Sequence, residues 1–162
     1  MTDQDETATG DGFHDPAMGA FVRFLGIRIT EWSADHVVLA MAVRPEMLNR
    51  SDVLHGGIVA SLIDTACGYA GLWVPPGAPP LRALTLSLTT QFTGQAGDGE
   101  VRALGHKKGG GKTTYFAEAE ILDENEKLIG FGSATLRYRQ SGTERSGPGQ
   151  TPSFHKPGAG HD

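Results

Sequence analysis

The chain has 162 residues, 38% of them hydrophobic, and a formal net charge of −5. That length suits one domain with a single core, and the acidic balance argues against a nucleic-acid partner. No apolar run is long enough to cross a bilayer, and the acidic opening M-T-D-Q-D-E-T-A-T-G-D-G lacks the apolar stretch of a secretion signal, so neither a membrane nor export is expected.

In chain order, residues 1–13 are polar and glycine-containing and read as a tail without structure. The domain is expected over residues 14–139. Asp15-Pro16 marks a helix start, with Met18, Phe21, Val22, Phe24 and Leu25 as its apolar contacts and Gly26 as its end. Strands are predicted over 27–32 and 36–43, separated by a turn at Ser33-Ala34-Asp35 and closed by Arg44-Pro45. A polar loop then runs to Leu54.

The strongest periodic signal is a helix over 57–73. At about 100° per residue, Ile58, Val59, Leu62, Ile63, Ala66, Tyr69, Ala70 and Trp73 fall within an arc of about 140°. The opposite face holds Gly57, Ala60, Ser61, Asp64, Gly68 and Gly71: small residues around one carboxylate. Solvated helix faces are usually filled with better helix formers, so this face is expected to meet a partner or a bound molecule. Asp64 alone reads equally as a solvated surface acid.

After the helix, P-P-G-A-P-P at 75–80 breaks regular structure. Residues 84–92 alternate, with Leu84, Leu86 and Leu88 expected on one face and Thr85, Ser87 and Thr89 on the other. Strands are predicted over 100–107, 113–122 and 128–138. Between the first two of these lies a basic, glycine-rich link: Lys107, Lys108, Gly109, Gly110, Gly111, Lys112, with Arg102 and His106 nearby. Such a link suits phosphate, and it equally suits a plain hairpin whose lysines keep an edge soluble. Residues 140–162 are rich in Gly, Pro and Ser and read as a second tail.

The order helix, two strands, long helix, four strands gives an α+β fold: a six-stranded, largely antiparallel sheet around one long central helix. The lone cysteine, Cys67, cannot form an internal disulfide, fits packing better than nucleophilic chemistry, and points to a reducing, cytoplasmic setting.

His55-Gly56-Gly57 sits where the long helix begins. The first amides of a helix lack intrahelical partners and favour negative charge, so they can receive an oxyanion; the same tripeptide also serves as a tight turn with His55 as cap. The spacing Asn49-x5-His55-Gly56-Gly57-x6-Asp64 resembles the hotdog-fold acyl-CoA thioesterase superfamily, and most closely its PaaI-type, phenylacetyl-CoA thioesterase-like branch. The resemblance spans about residues 17–138 and is motif-specific over 49–71. It departs at Asp52, where that branch usually has glycine.

The resemblance implies hydrolysis of an aryl- or medium-chain acyl-CoA. Asn49 and Gly57 would position the thioester, and His55 would orient the loop or polarise the carbonyl. Asp64 would act as base or nucleophile, with Thr85 assisting the water. It also implies coenzyme A phosphates at Lys107–Lys112, no required cofactor or metal, and a homo-oligomer, dimer or tetramer, with a composite active site. Asp52 favours an alternative reading as a non-catalytic acyl-CoA-binding regulator. A hotdog hydratase or dehydratase is a further alternative.

Overall fold

Period-two alternation builds the sheet that everything else rests on. A computed structural model describes residues 18–139; the two predicted tails and the Asp15-Pro16 helix start lie outside the described residues. The elements are α1 (Ala20–Phe24), β1 (Arg28–Ser33), β2 (His36–Ala42), a short 3-10 turn (Pro45–Met47), α2 (Gly56–Ala70), β3 (Ala83–Phe92), β4 (Glu100–Gly110), β5 (Thr114–Leu122) and β6 (Leu128–Tyr138). The strands form one six-stranded sheet in the order β1-β2-β4-β5-β6-β3, with antiparallel neighbours throughout. The α+β expectation is met: the sheet wraps α2.

One face of the sheet closes on α2. Val37, Leu39 and Met41 of β2 and Val101 and Ala103 of β4 are fully buried, as are Leu62, Ile63 and Ala66 of the helix. The approach is close because β4 carries Gly105, where a Cβ would collide with the Ala66 carbonyl. Such packing leaves no room for an extra methylene.

The helix is one residue earlier at its start and three shorter at its end than predicted, running to Ala70 rather than Trp73. The sheet ends it. Tyr115 Oη donates to Gly68 O at 2.7 Å and Tyr138 Oη donates to Gly71 O at 2.9 Å. These two rings, 4.7 Å apart, take carbonyls that would otherwise carry the helix onward or face solvent. Gly71 therefore serves its own chain: a Cβ there would overlap the Tyr115 ring. The expectation that Gly71 admits a partner gives way to this internal contact. At Gly68 a Cβ would meet only a Leu136 methyl at 3.9 Å.

Two further expectations are corrected. A β-bulge lies between Thr85 and Ser87. Before it, Thr85 pairs with Leu136 and Leu84 with Arg137; after it, Ser87 pairs with Thr135 and Leu88 with Ala134. Direct cross-strand partners share a face. Thr85 and Leu88 thus share the helix side, while Leu84, Ser87 and Thr89 share the outer side. The extra residue breaks the alternation that the sequence suggested. In addition, Gly109 and Gly110 belong to β4, and the link to β5 shrinks to residues 111–113, closed by Gly111 N–H donating to Thr114 O at 2.8 Å.

Candidate active site

The helix N-terminus is set by a short polar loop. Asn49 Oδ1 accepts from Ser51 N–H at 2.8 Å and lies 3.5 Å from Val53 N, and Asn49 N–H donates to Val53 O at 2.8 Å. This Asx turn lets Asn49 shape the loop. Inside it Asp52 takes φ 55°, the left-handed region. That is where glycine costs nothing and Asp is among the more tolerant alternatives, so the departure from the family pattern keeps the loop geometry that the glycine would allow.

The loop delivers His55 as the N-cap of α2. Its backbone N–H donates to Met47 O at 2.9 Å. Its Nδ1 accepts from Gly57 N–H at 2.9 Å. The Gly57 amide, expected to be bare, is thus engaged by the histidine beside it, and that acceptor role leaves the proton of a neutral His55 ring on Nε2. Gly56 sits against Phe92 of β3, whose ring a Cβ would approach to 3.3 Å.

Asp64 lies seven residues further along α2 from Gly57, about 10 Å by helix rise. It is half-buried, on the side facing β3. Thr85 Oγ1 donates to Asp64 Oδ1 at 2.7 Å. The bulge after Thr85 begins a different register, so the hydroxyl reaches the acid from the strand's helix side. The structure therefore brings Asp64 and Thr85 together at one place, and Asn49, His55 and Gly57 together at another, two helical turns away within a single chain. Cys67, on the same helix, is fully buried, and burial first, then the charges of Asp64 and Glu118, push its thiol up to about 12.

The basic residues near the β4–β5 turn do not form one patch. Lys107 Nζ pairs with Asp35 Oδ1 at 3.2 Å, whereas Lys108 Nζ pairs with Glu118 Oε2 at 3.1 Å. Lys107 is paired across the sheet with Ala117, on the helix side, and Glu118 is on the outer side, so the two ammonium groups leave opposite faces. Arg102 pairs with Glu126, and His106 stacks on His36. Lys112 sits exposed in the turn. Neighbouring strand positions alternate faces, so Lys107 and Lys108 part as soon as the link is strand, and each then finds a different acid, Asp35 or Glu118.

Among the described residues, no helix is long and apolar enough to cross a membrane. Residues 52–129 match the family model of the thioesterase superfamily. The acyl-coenzyme A thioesterase PaaI of Escherichia coli (strain K12) is 32% identical over 112 residues, covering 68% of this chain and 76% of that protein. Human acyl-coenzyme A thioesterase 13 is 29% identical over 117 residues, covering 71% and 82%. The structure of the E. coli PaaI protein superposes with a TM-score of 0.67 at 25% identity, over 75% of this chain and 86% of that one. With a sheet-wrapped helix, a His-capped helix start and an acid facing the edge strand, this chain belongs to the hotdog-fold thioesterase superfamily, on its PaaI-like branch, and is a thioester hydrolase.

Proposed function

We propose that the chain hydrolyses an aryl- or medium-chain acyl-CoA to the free acid and coenzyme A, with Asp64 as the acting carboxylate. The observation that carries this reading is the 2.7 Å bond from Thr85 Oγ1 to Asp64 Oδ1, which aims a half-buried acid at the inner side of β3. The relatives named for acyl-CoA thioester hydrolysis, and PaaI's origin in a phenylacetic acid degradation operon, support the substrate class.

In this reading the thioester carbonyl oxygen approaches the first turn of α2, positioned by the Asn49 loop. His55 Nε2–H donates to it, and the Gly57 amide passes from His55 Nδ1 to the developing oxyanion. Asp64 removes a proton from water, steadied by Thr85. The hydroxide adds to the carbonyl carbon, the C–S bond breaks, and the proton held by Asp64 passes to the departing thiolate. Direct attack by Asp64, with an acyl-carboxylate anhydride that water then opens, is the variant of this step. A single turnover in 18O-water separates the two when water opens the anhydride at the Asp64 carbonyl: the first acid released then carries no label, whereas direct attack by water places one labelled oxygen in it. No bound cofactor or metal is needed, because coenzyme A arrives with the substrate.

The two halves of the site complete each other across two copies of the chain, as dimer or tetramer. β3 is a sheet edge, and Leu84, Leu86 and Phe92 on it are 45%, 55% and 58% exposed, an apolar edge that a second copy would cover. A single buried cysteine suits the cytoplasm.

The test is hydrolysis followed by thiol release. Asp64→Asn should remove most turnover with the fold intact, and Thr85→Val should lower kcat by about tenfold, the value of one charge-assisted hydrogen bond, with KM unchanged. Full activity in a folded Asp64→Asn protein would refute the assignment. Of the basic link, Lys112 remains to meet the nucleotide phosphates without first giving up Asp35 or Glu118. Lys112→Ala should raise KM for CoA esters and leave it unchanged for esters of a short thiol; equal changes for both would remove it from CoA recognition.

A further inference from the structure

The outer face of the sheet, on the far side from α2, brings two histidines together. His36 of β2 and His106 of β4 are direct cross-strand partners. Lys107 N–H donates to Asp35 O at 3.0 Å. That bond flanks the pair, which makes His36–His106 a non-hydrogen-bonded pair, the kind whose side chains approach most closely. The ring centroids are 4.6 Å apart at an interplanar angle of 32°, and the two Nδ1 atoms lie 3.3 Å from each other. Both rings reach solvent.

A separation of 3.3 Å is long for a ring N–H···N bond, since such bonds centre near 3 Å. It matches the span between two donors on one tetrahedral ion: Zn–N bonds of about 2.0–2.1 Å at the tetrahedral angle put the nitrogens about 3.3–3.4 Å apart. Behind His36, its Nε2 lies 3.7 Å from Glu31 Oε2. That is beyond hydrogen-bond length, within a side-chain rotation of the contact by which a carboxylate behind a ligating imidazole fixes its tautomer and directs the other nitrogen to the metal.

We propose that His36 and His106 form a two-imidazole clamp for a divalent first-row transition ion, Zn2+ or Cu2+, held between their Nδ1 atoms and oriented by Glu31. Among the described residues no set of three or more His, Cys, Asp or Glu side chains converges as a metal cage. Water therefore fills the remaining positions, and the clamp binds as an open two-donor site. Imidazole favours these ions over Mg2+ or Ca2+, which take oxygen donors. The sheet lies between this clamp and Asp64, so its role is to tie β2 to β4 rather than to take part in hydrolysis.

The test is calorimetric titration of the full, metal-stripped chain with Zn2+, beside the double variant His36→Gln/His106→Gln. The other histidines of the chain, His14, His55, His155 and His161, are further imidazoles open to the titrant, so the difference between the two proteins is what counts. One equivalent of binding should be lost in the variant, together with the Zn2+-dependent rise in Tm, while thioester hydrolysis stays unchanged. Glu31→Gln should weaken that equivalent by about tenfold. Equal stoichiometry and affinity in both proteins would overturn the clamp. As a check on the unaltered protein, substoichiometric Cu2+ should broaden the His36 and His106 ring signals in NMR spectra first; earlier broadening of other histidines would overturn it as well.

Discussion

At the scale of single residues, Cys67 and Asp52 show how position overrides type. Cys67 is a thiol one helical turn from the proposed acid, Asp64, yet its burial and the nearby charges of Asp64 and Glu118 raise its pKa from 9.0 to about 12. In the folded chain the thiol stays protonated while an unfolded one ionises near 9. The unfolded state therefore binds fewer protons above pH 9, and stability falls with rising pH between about 9 and 12, by up to about 1.4 kcal/mol per unit from this group. Cys67→Ala should flatten that part of a urea-denaturation pH series. A slope unchanged in the variant would assign the loss to other groups. Asp52, at φ 55°, holds the left-handed corner of the Asn49 loop with a side chain where the family pattern has none. Its effect falls on charge at the mouth of the site rather than on the loop's path.

At the scale of elements, α2 carries two glycines of opposite consequence. Gly68 costs the helix about 0.5–1 kcal/mol relative to alanine, and its own chain leaves room for a methyl group. Gly71 has none, because Tyr115 fills the space. In thermal melts Gly71→Ala should destabilise by about 1–3 kcal/mol through overpacking. Gly68→Ala should stabilise by about 0.5–1 kcal/mol if nothing packs on that turn, and should destabilise if a second copy does. The pair of variants thus reads out whether the small face of α2 is covered. β3 shows the same dependence on neighbours: one extra residue at its bulge gives Thr85 to Asp64 and sends Leu84 to the outer face.

At the scale of the whole molecule, the distance along α2 decides how the site can be assembled. Asp64 and the Gly57 amide are about two turns apart in one chain, too far to serve one carbonyl. If the site is shared between copies, mixing inactive Asn49→Ala with inactive Asp64→Asn and letting subunits exchange should restore about a quarter of wild-type activity. Half of the dimers would be mixed, and each mixed dimer would carry one intact site. No recovery, despite exchange shown by mass spectrometry, would place the whole site in one chain.

The sequence by itself determined the element order, the long helix and its apolar stripe, and the residues of the helix-start motif, because those rest on local periodicity and on glycine and proline chemistry. Thr85 came only with the family resemblance, as a hydroxyl on the alternating strand that follows the helix. Three things were decided only by tertiary structure. The end of α2 is set by two tyrosines from β5 and β6, 47 and 67 positions away in sequence from the glycines whose carbonyls they take: Tyr115 from Gly68 and Tyr138 from Gly71. The facing of Thr85 depends on a bulge, which shifts side-chain parity by one residue and leaves no mark in composition, and the scattering of the lysines depends on β4 running through the glycine-rich link. The meeting of His36 with His106 depends on strand register across 70 positions. Local sequence encodes which backbone conformation each segment prefers. Which distant side chains share a face is fixed only once every strand has chosen its partner.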